Sequence, residues 1–193
     1  MNNRPIPYNQ MKEIISEQTS LLTQAILAAQ YGLGARAGEL LRYTHLDGTI
    51  TCGLLKENMV ERGDLLVCEI PNFKNSKTNW KKPYICKGEA FVYKPLKAYL
   101  EHCQNQLFTM SERSYRQIVK DVLPDGLSSH ALRHSRATHL AEIFGFNAYE
   151  IQSFLGHGRL DTSAIYVKAD ISRSANKMEV VLNDGSGNNS KTE

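Results

Sequence analysis

The chain has 193 residues, a formal net charge of +3, 41% hydrophobic and 22% charged residues, proportions ordinary for a globular domain. No apolar run approaches the roughly 18 residues that span a bilayer, and the opening MNNRPIPYNQ lacks the apolar segment of a secretory signal. The four cysteines (Cys52, Cys68, Cys86, Cys103) form no C-x-x-C pair. Neither a zinc site nor a disulfide framework is therefore expected, and a reducing cytoplasm is the natural compartment. The small positive charge admits a nucleic-acid partner without arguing for one.

Pro5 and Pro7 predict an irregular lead-in. From Asn9 a helical period appears: Met11, Ile14 and Ile15 make one apolar stripe, and Leu22, Ala25, Ile26 and Ala29 a second. Gly32 and Gly34 interrupt it, and a short helix is expected over 36–43. Residues 49–92 carry β-type runs, Leu65 to Ile70 and Pro83 to Cys86, the first preceded by the turn signal Arg62-Gly63-Asp64. A polar stretch, 72–79, separates the runs, which predicts a small antiparallel sheet with a long hairpin tip. Tyr43 to Val60 does not fix a strand register. Helices resume at Pro95, expected as a first helical residue, with Leu96, Tyr99, Leu100 and Cys103 on one face. Thr109 and Glu112 suggest a capping box for a helix presenting Tyr115, Ile118, Val119 and Val122. Ser128 or Ser129 caps the next helix, to about Phe144. Asn147 with Glu150 opens another that ends at Gly156, and a last helix starts near Asp161. Residues 183–193 read as a disordered tail. Helices, a small sheet and helices again make a mostly α, α+β domain over 1–182.

Periodicity gives no function, so the chemistry must come from side chains. His130 and Arg133 stand three apart at a helix start, where free N–H groups and the helix dipole favour an anion. Leu155-Gly156-His157 follows one helix later, and Tyr166 nine residues after His157. Upstream, Gly34-Ala35-Arg36 opens a short helix that also holds Glu39. Lys74 and Lys77 lie on the predicted hairpin tip. Each alone has an ordinary explanation: solvated polar residues, a helix cap, a surface ion pair worth little, a packing tyrosine. Their order along one chain is what carries information.

In that order the text GARAGEL, SKTNWKKPYI, SHALRHSRATHL and LGHGRLDTSAIY resembles the catalytic domain of the tyrosine recombinases, the phage integrase family, over about residues 9–175. The resemblance implies a helical DNA breaking-rejoining domain in which Tyr166 attacks a scissile phosphate. Arg36 and Arg133 would clamp that phosphate. Lys77, favoured over Lys74, would protonate the departing 5′-oxygen. His130 would help deprotonate the tyrosine, His157 would hydrogen-bond the phosphate, and Glu39 would buttress the arginine. Lys74 and Arg136 are expected to contact DNA. His45, His102, His134 and His139 match no catalytic position and are read as structural.

The chemistry suits these residue types. Guanidinium forks neutralise a phosphodiester bidentately and keep their protons at neutral pH. Fixed donors stabilise charge gained in phosphoryl transfer. A phenol with a pKa of about 10 needs cations and a base nearby. No metal or cofactor is expected, since the arginines supply the charge and the phosphotyrosine retains the bond energy for religation. Members of the family usually carry an N-terminal helical domain, for which the position of Arg36 leaves no expected room. The implied function is site-specific recombination or integration on double-stranded DNA, by a homo-tetramer on synapsed sites and a monomer when free. The segment after Tyr166 is expected to exchange between subunits. A type IB topoisomerase-like or telomere-resolving enzyme, or a catalytically idle DNA-binding module, would share the fold.

Overall fold

The computed structural model describes residues 4–44, 48, 50–51, 53–72 and 79–167. Two N-terminal helices, α1 (Tyr8–Ser16) and α2 (Leu21–Gly32), follow the predicted stripes. α2 is buried on nearly all sides from Ala25 to Gly32, and its small residues let α4 (Ala90–His102) and α6 (Ser129–Glu142) pack closely on it. Gly32 lies under Val92 and Ile85, with no room for a side chain. Ser20 caps α2 by accepting a hydrogen bond from the Thr23 amide.

The helix expected over 36–43 is a single turn, α3 (Ala37–Leu40), because Leu41 turns extended and Tyr43–Thr44 begins strand β1. β1 pairs antiparallel with β2 (Ile50–Thr51). A 3₁₀ turn at Lys56–Asn58 leads into β3 (Met59–Arg62). β3, β4 (Leu65–Cys68) and β7 (Tyr84–Cys86) form an antiparallel sheet, with Leu66 facing both Glu61 and Ile85. A separate ribbon, β5 (Ile70–Asn72) with β6 (Asn79–Lys81), pairs Ile70 with Lys81 and Asn72 with Asn79. The predicted hairpin is thus one long excursion bent at Glu69 and at Lys82-Pro83. Pro83 has no amide hydrogen to continue a ladder, while its carbonyl accepts from the Cys68 amide at 2.9 Å.

Two expectations of helix starts are corrected. Pro95 lies inside α4, which begins five residues earlier because Phe91 and Val92 have apolar surface to cover. The cap of α5 (Glu112–Val122) is Ser111, not Thr109: its hydroxyl accepts from the Ser114 amide. α6 starts after Ser128. α7 (Ala148–Leu155) opens on the predicted Asn147/Glu150 capping box and ends on left-handed Gly156, φ 68°. The last described helix, α8 (Asp161–Ala164), is one turn. The main core joins α1 through α6 and the three-stranded sheet. A second cluster, Ala137, Leu140, Ala141, Ile151, Phe154 and Leu155, supports the C-terminal end, with Tyr84, Phe146 and Tyr166 packed on it. The architecture is mostly α, α+β, as the sequence predicts. Among the described residues, no helix is long and apolar enough to cross a membrane.

Candidate active site

Glu39 is the hub. It is fully buried at the end of α3, and three cations converge on it. Arg36, the residue before α3, donates from Nη1 to Oε1 at 2.5 Å and from its amide to Oε2 at 2.9 Å. Lys81 of β6 donates from Nζ to Oε2 at 2.7 Å. Arg133 of α6 brings Nη1 to 3.8 Å from the same oxygen. Burial alone would raise the Glu39 carboxyl, but Lys81, Arg133 and Arg36 outweigh it and hold it below the usual range. Burial draws Lys81 down to about 7, with Glu39 pulling the other way.

Arg133 is set by backbone carbonyls as well. Arg133 donates to Gly34 O at 2.5 Å and to Leu155 O at 3.0 Å. Lys81 shares that Leu155 carbonyl at 3.1 Å, and Asn72 of β5 donates to Gly156 O at 2.8 Å. These carbonyls belong to the C-terminal end of α7, where unpaired acceptors and the dipole favour cations. Asn72 also accepts from Arg36 Nη1 at 3.5 Å. The base of the β5–β6 ribbon is therefore tied both to the arginines and to the turn preceding His157. Gly34, φ 55°, and Gly156 bring the backbone close: a Cβ on Gly156 would meet Asn72 Nδ2 at 2.5 Å.

Burial lowers the Arg133 guanidinium to about 10, Arg36 lowering it further and Glu39 opposing, so it stays charged at neutral pH. His157 is buried, its Nδ1 2.8 Å from Ser163 Oγ, which fixes the ring. Tyr166 is half-buried. Burial raises its phenol, and Arg133 partly offsets that. His130 is exposed at the first turn of α6, beside a groove of about 590 Å³ that Arg36, Arg116, Lys120 and Ser129 also line. Burial, then Arg133 and Arg36, lower its imidazole.

Five of the predicted site residues, Arg36, Glu39, Arg133, His157 and Tyr166, thus gather around one corner, with His130 at its rim. Lys77 and Lys74 lie outside the described residues. One expectation fails. Arg136 was expected on DNA but turns inward: it is buried, ion-paired with Glu89 at 2.7 and 2.9 Å, and stacked near Tyr31, Phe144 and Phe154. Arg133 and Arg136 stand three apart on one side of α6, but Arg136 lies a turn further along, against Glu89 and the rings of Tyr31, Phe144 and Phe154. His134, which matches no catalytic position of the resemblance, has its Nδ1 3.0 Å from the Tyr166 hydroxyl. Sequence reading passed over it because Arg133 and His130 already filled the motif. Its helical spacing of four from His130 was the available signal. Lys81 was likewise hidden, since the run Lys81-Lys82 reads as solvated charge until the strand register turns one of the two inward.

The match to the family model described as the phage integrase family runs over residues 6–173. The chain belongs to the phage integrase family. Among curated relatives, a tyrosine recombinase XerC of Chlamydia caviae is 27% identical over 171 residues, covering 84% of this chain and 53% of that protein. A XerC of Methylobacterium nodulans is 32% identical over 166 residues, covering 77% of this chain and 46% of that protein. This phage integrase family chain spans about half the length of the curated relatives it matches. Of solved structures, the XerH site-specific recombinase bound to difH substrate in a pre-cleavage complex superposes with a TM-score of 0.64 at 16% identity, over 89% of this chain and 52% of that one. The Tn1549 transposon integrase in complex with transposon right-end DNA gives 0.63 at 18% identity, over 94% and 67%. At such identities these likenesses show a shared fold.

Proposed function

We propose that this chain carries the catalytic domain of a site-specific DNA recombinase that cleaves and rejoins double-stranded DNA through a covalent 3′-phosphotyrosine on Tyr166. The observation that supports it most is the convergence of Arg36 and Arg133 on one buried carboxylate within electrostatic reach of a half-buried tyrosine. A DNA-binding fold without catalysis has no need for that arrangement. The guanidinium groups neutralise the scissile phosphate and stabilise charge on its equatorial oxygens. His157, its ring set by Ser163, hydrogen-bonds a phosphate oxygen. Lys77 protonates the departing 5′-oxygen, an otherwise poor leaving group. No metal or ATP is needed on this reading, because the cations are side chains and the phosphotyrosine retains the energy of the broken bond. Four protomers act on two synapsed sites, and the free protein is a monomer.

The test is covalent adduct formation on nicked suicide DNA. Wild type forms the adduct in EDTA, and Tyr166→Phe forms none while still binding DNA. An adduct from the phenylalanine variant, or a strict Mg²⁺ requirement for the chemical step, overturns the reading.

A further inference from the structure

Tyr166 is met by an imidazole to which the family resemblance assigns no role. On α6, His130, Arg133 and His134 stand at i, i+3 and i+4 and so share one side of the helix. Arg133 turns inward to the Gly34 and Leu155 carbonyls. His130 stays exposed at the groove with Arg36. His134 is half-buried, with Nδ1 3.0 Å from the Tyr166 hydroxyl and ring centroids 5.3 Å apart. That is within the heavy-atom distance at which a general base takes a proton from a hydroxyl.

The resting charges agree with the geometry. Burial lowers the His134 imidazole below its ordinary 6.5, so the ring is neutral near neutral pH and Nδ1 can offer a lone pair. Burial raises the Tyr166 phenol, so the hydroxyl keeps its proton and donates it. Among the described residues, the charged groups acting on the pair are Arg133, which favours phenolate, and His130, whose ring couples to His134. Arg36 acts on His130, and Arg116 and Lys120 of α5 face the groove beside it.

We propose that His134 is a catalytic residue that accepts the Tyr166 proton during strand cleavage. The proposal rests on Tyr166 being the nucleophile. As the tyrosine oxygen forms its bond to phosphorus, its proton passes to His134 Nδ1. The bond from phosphorus to the 5′-oxygen breaks, and the leaving oxygen takes a proton from the general acid. Religation runs the same transfers backwards, the imidazolium returning its proton to the tyrosine oxygen.

The test is single-turnover adduct formation on nicked suicide DNA, across the imidazole titration range of about pH 5–8. Wild type should lose rate on the acid side, where His134 becomes protonated. His134→Gln should be slower by about 100-fold or more, lose that acid limb, and keep its DNA affinity and melting temperature. His130→Gln should also be slow but keep the limb. A His134→Gln enzyme at the wild-type rate, or a slow one that keeps the limb, overturns the assignment, as does loss of the limb in His130→Gln alone. His134→Asn serves the same purpose if the glutamine variant fails to fold. Wild type forming no adduct at all marks the failure of the recombinase reading, a result separate from these.

Discussion

Arg36 and Arg133 reach one carboxylate from opposite ends of the chain, and that sharing predicts how the site fails. Losing one charged donor to a transition-state oxyanion costs about 3–4 kcal/mol, so Arg36→Ala and Arg133→Ala should each slow cleavage by roughly two decades or more, measured by single-turnover adduct formation. Lysine replacements should rescue only partly, because a point charge does not reproduce the fork. Glu39 and Lys81 separate structural from catalytic dependence. Glu39→Gln leaves the buried Lys81 and Arg133, and the partly exposed Arg36, without their anion and should destabilise by about 3–5 kcal/mol. Lys81→Met keeps most of the volume and leaves Arg36 and Arg133 to balance Glu39, so its urea midpoint should fall far less. Equal losses would place the hub's stability in Lys81 rather than in the carboxylate. His139 gives a pH dependence. It is buried against Tyr31, whose hydroxyl is 2.8 Å from Nδ1, and burial lowers it from 6.5 to about 4. The unfolded chain therefore binds the extra proton first. Stability is complete above about pH 6.5 and is lost as pH falls toward 4. Melting temperature should decline over that window, and less steeply in His139→Gln.

The turn after α7 joins local conformation to the site. Gly156 adopts φ 68°, and the Cβ of an alanine there would press on Asn72 and on Lys81 Cδ. Gly156→Ala should thus carry two penalties, a left-handed backbone of about 1 kcal/mol and the displaced base of the β5–β6 ribbon. Cleavage should drop more than a loss of that size in stability explains, and a variant that loses only stability would show that the ribbon and arginines are independent. This turn was fully legible in the sequence, because Asn147, Glu150 and Gly156 act through local backbone chemistry. The helix start at Pro95 was misread for the complementary reason. Where a helix begins near a core, apolar surface at Phe91 and Val92 moves the boundary past the local signal. The sheet was legible as β-type runs but not as a three-stranded sheet with a separate β5–β6 ribbon, since the bend at Lys82-Pro83 depends on which edge of the hairpin needs amide hydrogens.

For the molecule as a whole, most of the candidate site was readable because its residues recur in a fixed order, while what touches what was not. Arg133 and Arg136 differ by three positions and look equally available in the sequence, yet one lines the site and the other pairs with Glu89 in the core. That distinction follows from which groups pack against each successive turn of α6, a tertiary fact. It also moves the expected DNA contacts. With Arg136 inward, the exposed cations beside His130 are Arg116 and Lys120 of α5, at the mouth of the groove that Arg36 lines. The net charge of +3 is too small to bind DNA by bulk attraction, so affinity must come from such local contacts. Each phosphate contact contributes about 0.9 to the slope of log K against log salt. Arg116→Ala combined with Lys120→Ala should weaken binding to any duplex and flatten that slope by about one to two units. Single-turnover cleavage on saturating DNA should stay close to wild type, because neither side chain reaches Glu39 or Tyr166. The measurement is a salt titration of DNA affinity with both proteins. An unchanged slope would place the DNA backbone away from α5 and restrict its contacts to the arginine corner itself.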